Sequence, residues 1–194
     1  GRELYRGAFL NNDSPNRIVD YLWRHADPVT FSLQAGGGFA SPGTARIGSK
    51  SLNVFYLDRV AGDADEIDAG SGNDTVAAGG GDDLIFGGAG DDFIDTGEGA
   101  DTVFGGAGDD YILADWGAVG DYIDAGDGND FVGSGAGDDV LMGGAGDDRL
   151  HSFGGNDILL GGEGRDFLSS SGGSAVLEGG SGKCMCDAMG APDG

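Results

Sequence analysis

From Val60 almost to the C-terminus an aliphatic side chain recurs every nine residues, each time preceded by a polar stretch of Gly, Asp and Asn. One unit of this pattern is Gly87-Gly88-Ala89-Gly90-Asp91-Asp92-Phe93-Ile94-Asp95. Blocks in the same frame begin at Val60, Ala69, Ala78, Gly87, Thr96, Gly105, Ala114, Ala125, Ser134, Gly143, Ser152, Gly161, Ser170 and Gly179. Position eight holds Ile67, Val76, Ile85, Ile94, Val103, Ile112, Ile123, Val132, Leu141, Leu150, Leu159 and Leu168. The block from Ala114 to Asp124 is eleven residues long, with a two-residue insertion around Trp116 and Gly117, and the frame resumes after it.

Elementary stereochemistry turns this pattern into elements. Gly accepts positive φ without steric cost and Asp or Asn tolerates left-handed geometry, so the six polar residues of each block predict turns. The three that follow, such as Phe93-Ile94-Asp95 or Tyr111-Ile112-Leu113, predict very short strands whose central side chain points opposite to its neighbours. Turns and short strands at a fixed period describe a solenoid, with two blocks to a coil and the position-eight row as its core.

Position six is Asp in twelve successive blocks. Coils of a parallel sheet stack about 4.8 Å apart, so Asp residues in alternate blocks lie over one another. One edge then carries Asp65, Asp83, Asp101, Asp121, Asp139 and Asp157, and the other Asp74, Asp92, Asp110, Asp130, Asp148 and Asp166. Position five adds Asp82, Asp91, Asp109, Asp138 and Asp147 to the same turns. Carboxylate ladders at that spacing repel strongly without cations between them. Oxygen donors with almost no nitrogen or sulfur select a hard ion, and a flexible multi-oxygen shell suits Ca2+ better than octahedral Mg2+.

With these residues in view, the chain resembles the RTX (repeats-in-toxin) family of calcium-binding proteins, whose nonapeptide is Gly-Gly-x-Gly-x-Asp-x-U-x, over roughly Val60 to Ser169. The resemblance implies an all-β fold, a right-handed parallel β-roll, with each Ca2+ between consecutive turns of one edge. The position-six Asp and main-chain carbonyls would hold it. It also implies export in an unfolded state and folding on calcium outside the cell. Six Asp per edge leave five gaps, so two edges offer roughly ten shared ions. Ala175 and Cys184 occupy position six of the last two blocks, which are therefore expected to bind no calcium through it.

Composition changes this picture in two places. A formal charge of −24 and 43 glycines in 194 residues would mean disorder in an unpatterned chain, but here the pattern overrides the composition. The charge is also divided unevenly: residues 1–59 carry +2 and the remainder −26. The expected domains are a head, 1–59, a calcium-binding roll, 60–169, and degenerate last coils with a tail, 170–194. In the head, Ser14-Pro15 starts a short amphipathic helix through Ile18, Tyr21, Leu22 and His25, which Asp27-Pro28 stops. Val29, Phe31 and Leu33 alternate as a strand, and Leu52 to Leu57 is apolar enough to stack on the first coil. The head is thus a small α/β segment that caps the solenoid or docks another subunit.

Candidate catalytic chemistry is sparse. The two histidines, His25 and His151, form no His-Glu-x-x-His pair, and there is no Gly-x-Ser-x-Gly elbow. Gly180 to Cys184 lacks the spacing of a phosphate loop. No basic stripe supports nucleic-acid binding, and the negative charge opposes it. No segment is long and apolar enough to cross a membrane, and no leader stands at Gly1, so a mature or excised chain is expected. Cys184 and Cys186, two residues apart on one strand face, are expected to form an intermolecular link, or to be a peculiarity of the tail, rather than a mutual disulfide. The tail Met185 to Gly194 lacks the apolar ending expected of the family's export signal. Two function classes remain. One is an extracellular structural protein that assembles with other copies of itself into a surface layer, matrix or fibre. The other is a non-catalytic calcium-binding and export domain of a larger secreted hydrolase, epimerase or toxin.

Overall fold

The computed structural model describes residues 44–46, 55–56, 64–114 and 117–189. The helix and the first strand expected in the head lie outside these residues, as do Asp115 and Trp116 of the insertion.

The described residues form two eight-stranded parallel sheets, with successive strands alternating between them. One sheet is built from β1 (Thr44–Arg46), β3 (Glu66–Ser71), β5 (Leu84–Ala89), β7 (Thr102–Ala107), β9 (Tyr122–Asp127), β11 (Val140–Ala145), β13 (Ile158–Glu163) and β15 (Val176–Glu178). The other contains β2 (Phe55–Tyr56), β4 (Thr75–Gly80), β6 (Phe93–Glu98), β8 (Tyr111–Leu113), β10 (Phe131–Gly133), β12 (Arg149–Ser152), β14 (Arg165–Ser171) and β16 (Lys183–Met189). Each sheet runs in this order, so the chain is a parallel β-solenoid.

The position-eight row is the core. Every one of its twelve side chains is at most 1% exposed. Register confirms the nonapeptide frame: Ile85 pairs with Val103, Val103 with Ile123 and Ile123 with Leu141, and the pairing crosses the insertion without slipping. Outward side chains stack in columns, as in Phe93, Tyr111 and Phe131, whose centroids are 5.5 and 4.6 Å apart.

Two expectations change. Most strands are longer than three residues, because positions one to three continue the preceding strand; Phe93–Glu98 is six residues long, and the turn after it is short. The reason is that position one is also buried, as Ala69, Ala78, Thr96 and Ala125 are, so the period-two alternation runs on past position nine. Two strands also precede the repeats. Phe55–Tyr56, within the apolar Leu52–Leu57 segment, pairs with Val76 and Ala77, and Thr44–Arg46, for which no element was expected, pairs with Glu66–Asp68. Backbone pairing satisfies the edge of the first coil whatever the side-chain period.

Candidate metal centres

Glycines at positions two and four set the geometry of each turn. Their φ is positive, +114° at Gly88 and +121° at Gly90. A Cβ on Gly88 would overlap the carbonyl oxygen of Gly70 one coil earlier, and one on Gly90 that of Gly72. These carbonyl oxygens therefore stand in the gap between consecutive turns, which only glycine leaves open.

The same gap receives the position-six carboxylates. Asp65 opens one edge half-buried, and the other eleven are at most 4% exposed. Oδ1 of Asp83 accepts the N–H of Asp65 at 2.8 Å, and this bond recurs along that edge to Asp101, Asp121, Asp139 and Asp157. On the opposite edge Oδ1 of Asp92, Asp110, Asp130, Asp148 and Asp166 accepts the N–H of the Asp one coil before. Every position-six Asp after the first on its edge thus reaches back across a gap. Direct stacking of carboxylate on carboxylate is replaced by carboxylate on amide.

The second oxygen is different. Oδ2 of Asp83, Asp92, Asp110, Asp130, Asp148 and Asp166 is buried and receives no hydrogen bond. It lies against the position-one residue: a Cβ on Gly87 would stand 2.7 Å from Oδ2 of Asp92, and one on Gly105 2.6 Å from that of Asp110. Burial pushes the carboxyls of Asp83 and Asp110 up to about 7, and those of Asp130 and Asp148 up to about 6. Asp92 is raised by the same cause. The N–H bond from the preceding coil opposes the rise, while neighbouring carboxylates add to it, Asp101 for Asp83 and Asp92 and Asp130 for Asp110. A buried carboxylate oxygen with no donor calls for a cation or a proton.

These residues fit a hard divalent ion. Among the described residues no group of three or more His, Cys, Asp or Glu side chains stands close enough to hold a metal alone. A complete shell therefore needs the position-two and position-four carbonyls as well as the carboxylates. That all-oxygen donor set matches Ca2+.

Asp157 departs from the row, because its Oδ2 accepts from Ser152 Oγ at 2.7 Å and Ser170 Oγ at 3.3 Å. Serine at position one thus supplies the donor that glycine lacks. In the last coil the carbonyls of Gly162 and Gly164 accept the N–H groups of Ser181 and Lys183, so hydrogen bonds close this turn.

Sequence reasoning missed an outer ladder. Position-five side chains are exposed and bond in the opposite direction, toward the following coil. Asp91 Oδ1 accepts from Asp109 N–H at 3.0 Å, Asp109 Oδ1 from Asn129 at 2.8 Å, and Asn129 Oδ1 from Asp147 at 3.0 Å. Asp82 and Asp138 do the same on the other edge. Position-five acids lace the turns, and their spacing alone does not reveal it, because their bonds go to backbone.

The cysteine expectation is overturned. Cys184 and Cys186 are bonded to each other, with Cα atoms 5.4 Å apart. Residues two apart on β16 share a face, and this separation lies within the range a disulfide spans.

The chain matches the repeat described as RTX calcium-binding nonapeptide repeat in four copies, at residues 61–94, 86–118, 120–141 and 133–168. These cover more than half of its length. No curated protein and no solved structure matches the chain.

Proposed function

The chain belongs to the RTX calcium-binding nonapeptide-repeat family, and on that premise we propose that it is a secreted, non-catalytic β-roll that folds on meeting extracellular calcium and then self-assembles. The observation that carries the calcium part is the row of buried Oδ2 atoms without hydrogen-bond donors on both edges. In each gap, position-six Asp residues and the carbonyls of positions two and four would hold Ca2+, which supplies the positive charge that burial of the carboxylates demands. Without it the buried charges oppose the fold, so binding and folding are one equilibrium.

Assembly is supported by the C-terminal end of the roll. Val176 and Met185 in the final coil are 53% and 68% exposed, and β15 and β16 each pair with one strand among the described residues. An apolar rim beside strand edges that no other described strand covers favours stacking by another copy into a layer, matrix or fibre.

Circular dichroism through a calcium titration tests the folding switch. Coil should convert to β-structure as calcium approaches the millimolar range, and a calcium-free chain already rich in β-structure at neutral pH refutes it. Light scattering with electron microscopy on the same samples tests assembly. Ordered polymers that need calcium support the structural reading; compact monomers in calcium support a calcium-binding domain of a larger secreted protein.

A further inference from the structure

Arg149, Arg165 and Lys183 are the only Lys or Arg residues after residue 59, and all three line one open groove of about 360 Å3 at the C-terminal end of the roll. Two of them belong to the position-five column of one edge. Hydrogen bonds and strand register stack that column as Asp91, Asp109, Asn129, Asp147, Arg165 and Lys183, each one coil above the last. Its first half is acidic and its end is cationic. The corresponding column of the other edge, from Asp82 to Ser174, carries no cation.

We propose that this edge is a self-complementary interface on which a second copy of the chain docks antiparallel, its column facing the same column of the first. The inference rests on the self-association in the reading above and adds a lateral surface to the end-on one described there. A two-fold axis across the edge and between the levels of Asn129 and Asp147 sets Lys183 against the partner subunit's Asp91. The same axis sets Arg165 against the partner subunit's Asp109 and Asp147 against the partner subunit's Asn129. Each contact occurs twice, as isologous symmetry requires. Both columns have the same pitch of about 4.8 Å, so one pair in register brings the others into register.

The position-three column of the same edge selects this register independently. It runs Ala89, Ala107, Asp127, Ala145, Glu163 and Ser181, one per coil. In the proposed register Glu163 faces an alanine and Asp127 faces an alanine. Sliding the partner by one coil in either direction brings Asp147 against a carboxylate in one column and Asp127 against a carboxylate in the other. Of these three registers, only the proposed one avoids like charges in both, and it engages all six levels. Arg165 already pairs with Asp147 of its own chain at 2.7 Å, while Lys183 has no ion-pair partner among the described residues. The contact is about 24 Å long and narrow, which places it among weak, salt-sensitive interfaces.

Sedimentation equilibrium of the calcium-loaded chain tests this, at low and high sodium chloride, with circular dichroism confirming that each variant is folded. Dimers should form at low salt and dissociate at high salt. Asp91→Lys and Lys183→Asp alone should each weaken the dimer about tenfold or more, because each creates two like-charge contacts. Together they should restore affinity to within about threefold of the original chain. Ala107→Glu, which alters no side-chain hydrogen bond and faces Glu163, should weaken it as well. Folded single variants that dimerise unchanged, or a double swap that fails to rescue, overturn the interface. If calcium-dependent polymers persist in such variants, self-assembly stands and this interface alone falls. If the original chain stays monomeric in calcium at low salt, the interface and the self-assembly both fall.

Discussion

Asp110 divides its carboxylate between two tasks, with Oδ1 held by the N–H of Asp92 and Oδ2 facing the gap without a donor. Asp110→Asn keeps an oxygen for the first task and removes the charge needed for the second. Calcium titration of Asp110→Asn combined with Asp130→Asn should show local affinity lowered about tenfold or more, with hydrogen exchange of distant coils unchanged in saturating calcium. Loss of protection throughout the roll would mean that the coils are not independent beyond nearest neighbours. Gly88 is a second sensitive position, because Gly88→Ala forces a Cβ onto the Gly70 carbonyl at φ +114°. It should cost about 2 kcal/mol or more in chemical denaturation with calcium present. The buried acids also set a pH dependence. Their carboxyls are raised from 3.8 to between about 6 and 7 in the metal-free fold, so the fold binds more protons than the unfolded chain across that window. Metal-free stability must therefore fall as pH rises from about 4 to about 7. Circular dichroism without calcium should show more β-structure at pH 4.5 than at pH 7.5. Calcium, competing with protons for the same oxygens, should bind less well at the lower pH.

At the scale of the element, two ladders running in opposite directions close the turns: buried position-six carboxylates reach back one coil, and where position five is Asp its exposed side chain accepts from the next. The two are unequal. Asp148→Asn should raise the calcium midpoint of folding clearly, whereas Asp147→Asn, at an exposed ladder position, should shift it little. The position-eight strands carry the packing, so Ile112→Ala should cost about 2–5 kcal/mol in saturating calcium and loosen the neighbouring coils first. Much of this architecture was legible in the chain. Ile85, Val103 and Ile123 recur at the period that stacks them, and the recurring Asp marks the turn because nothing else in the unit is invariant. Strand length was not legible, since Gly and Asp are poor strand formers in isolation. Gly88 and Gly97 are nevertheless in strands, because only a missing Cβ lets successive backbones approach so closely. The direction of the outer ladder was hidden for a related reason: it depends on backbone N–H groups, which every residue but Pro supplies.

For the whole molecule the decisive quantity is charge. The repeats and tail carry −26, and ten calcium-filled gaps would bring +20, so occupied edges leave a modest residual charge where empty ones leave a repulsive column on each side. The core alone cannot hold the coils together against this. Each strand gives it one large aliphatic side chain beside a small position-one residue, and a chain so rich in glycine loses much backbone entropy on folding. Chelation should therefore dissolve the roll as a unit rather than fray its ends. Small-angle scattering should find a radius of gyration of roughly 45 Å in EDTA at neutral pH, the value of an expanded chain of this length, and less than half of that in millimolar calcium. Magnesium at the same concentration should fail to produce the contraction, because it demands an octahedral shell that two turns of backbone carbonyls do not supply. Contraction in magnesium equal to that in calcium would show that general charge screening, rather than ions seated between the turns, drives the fold.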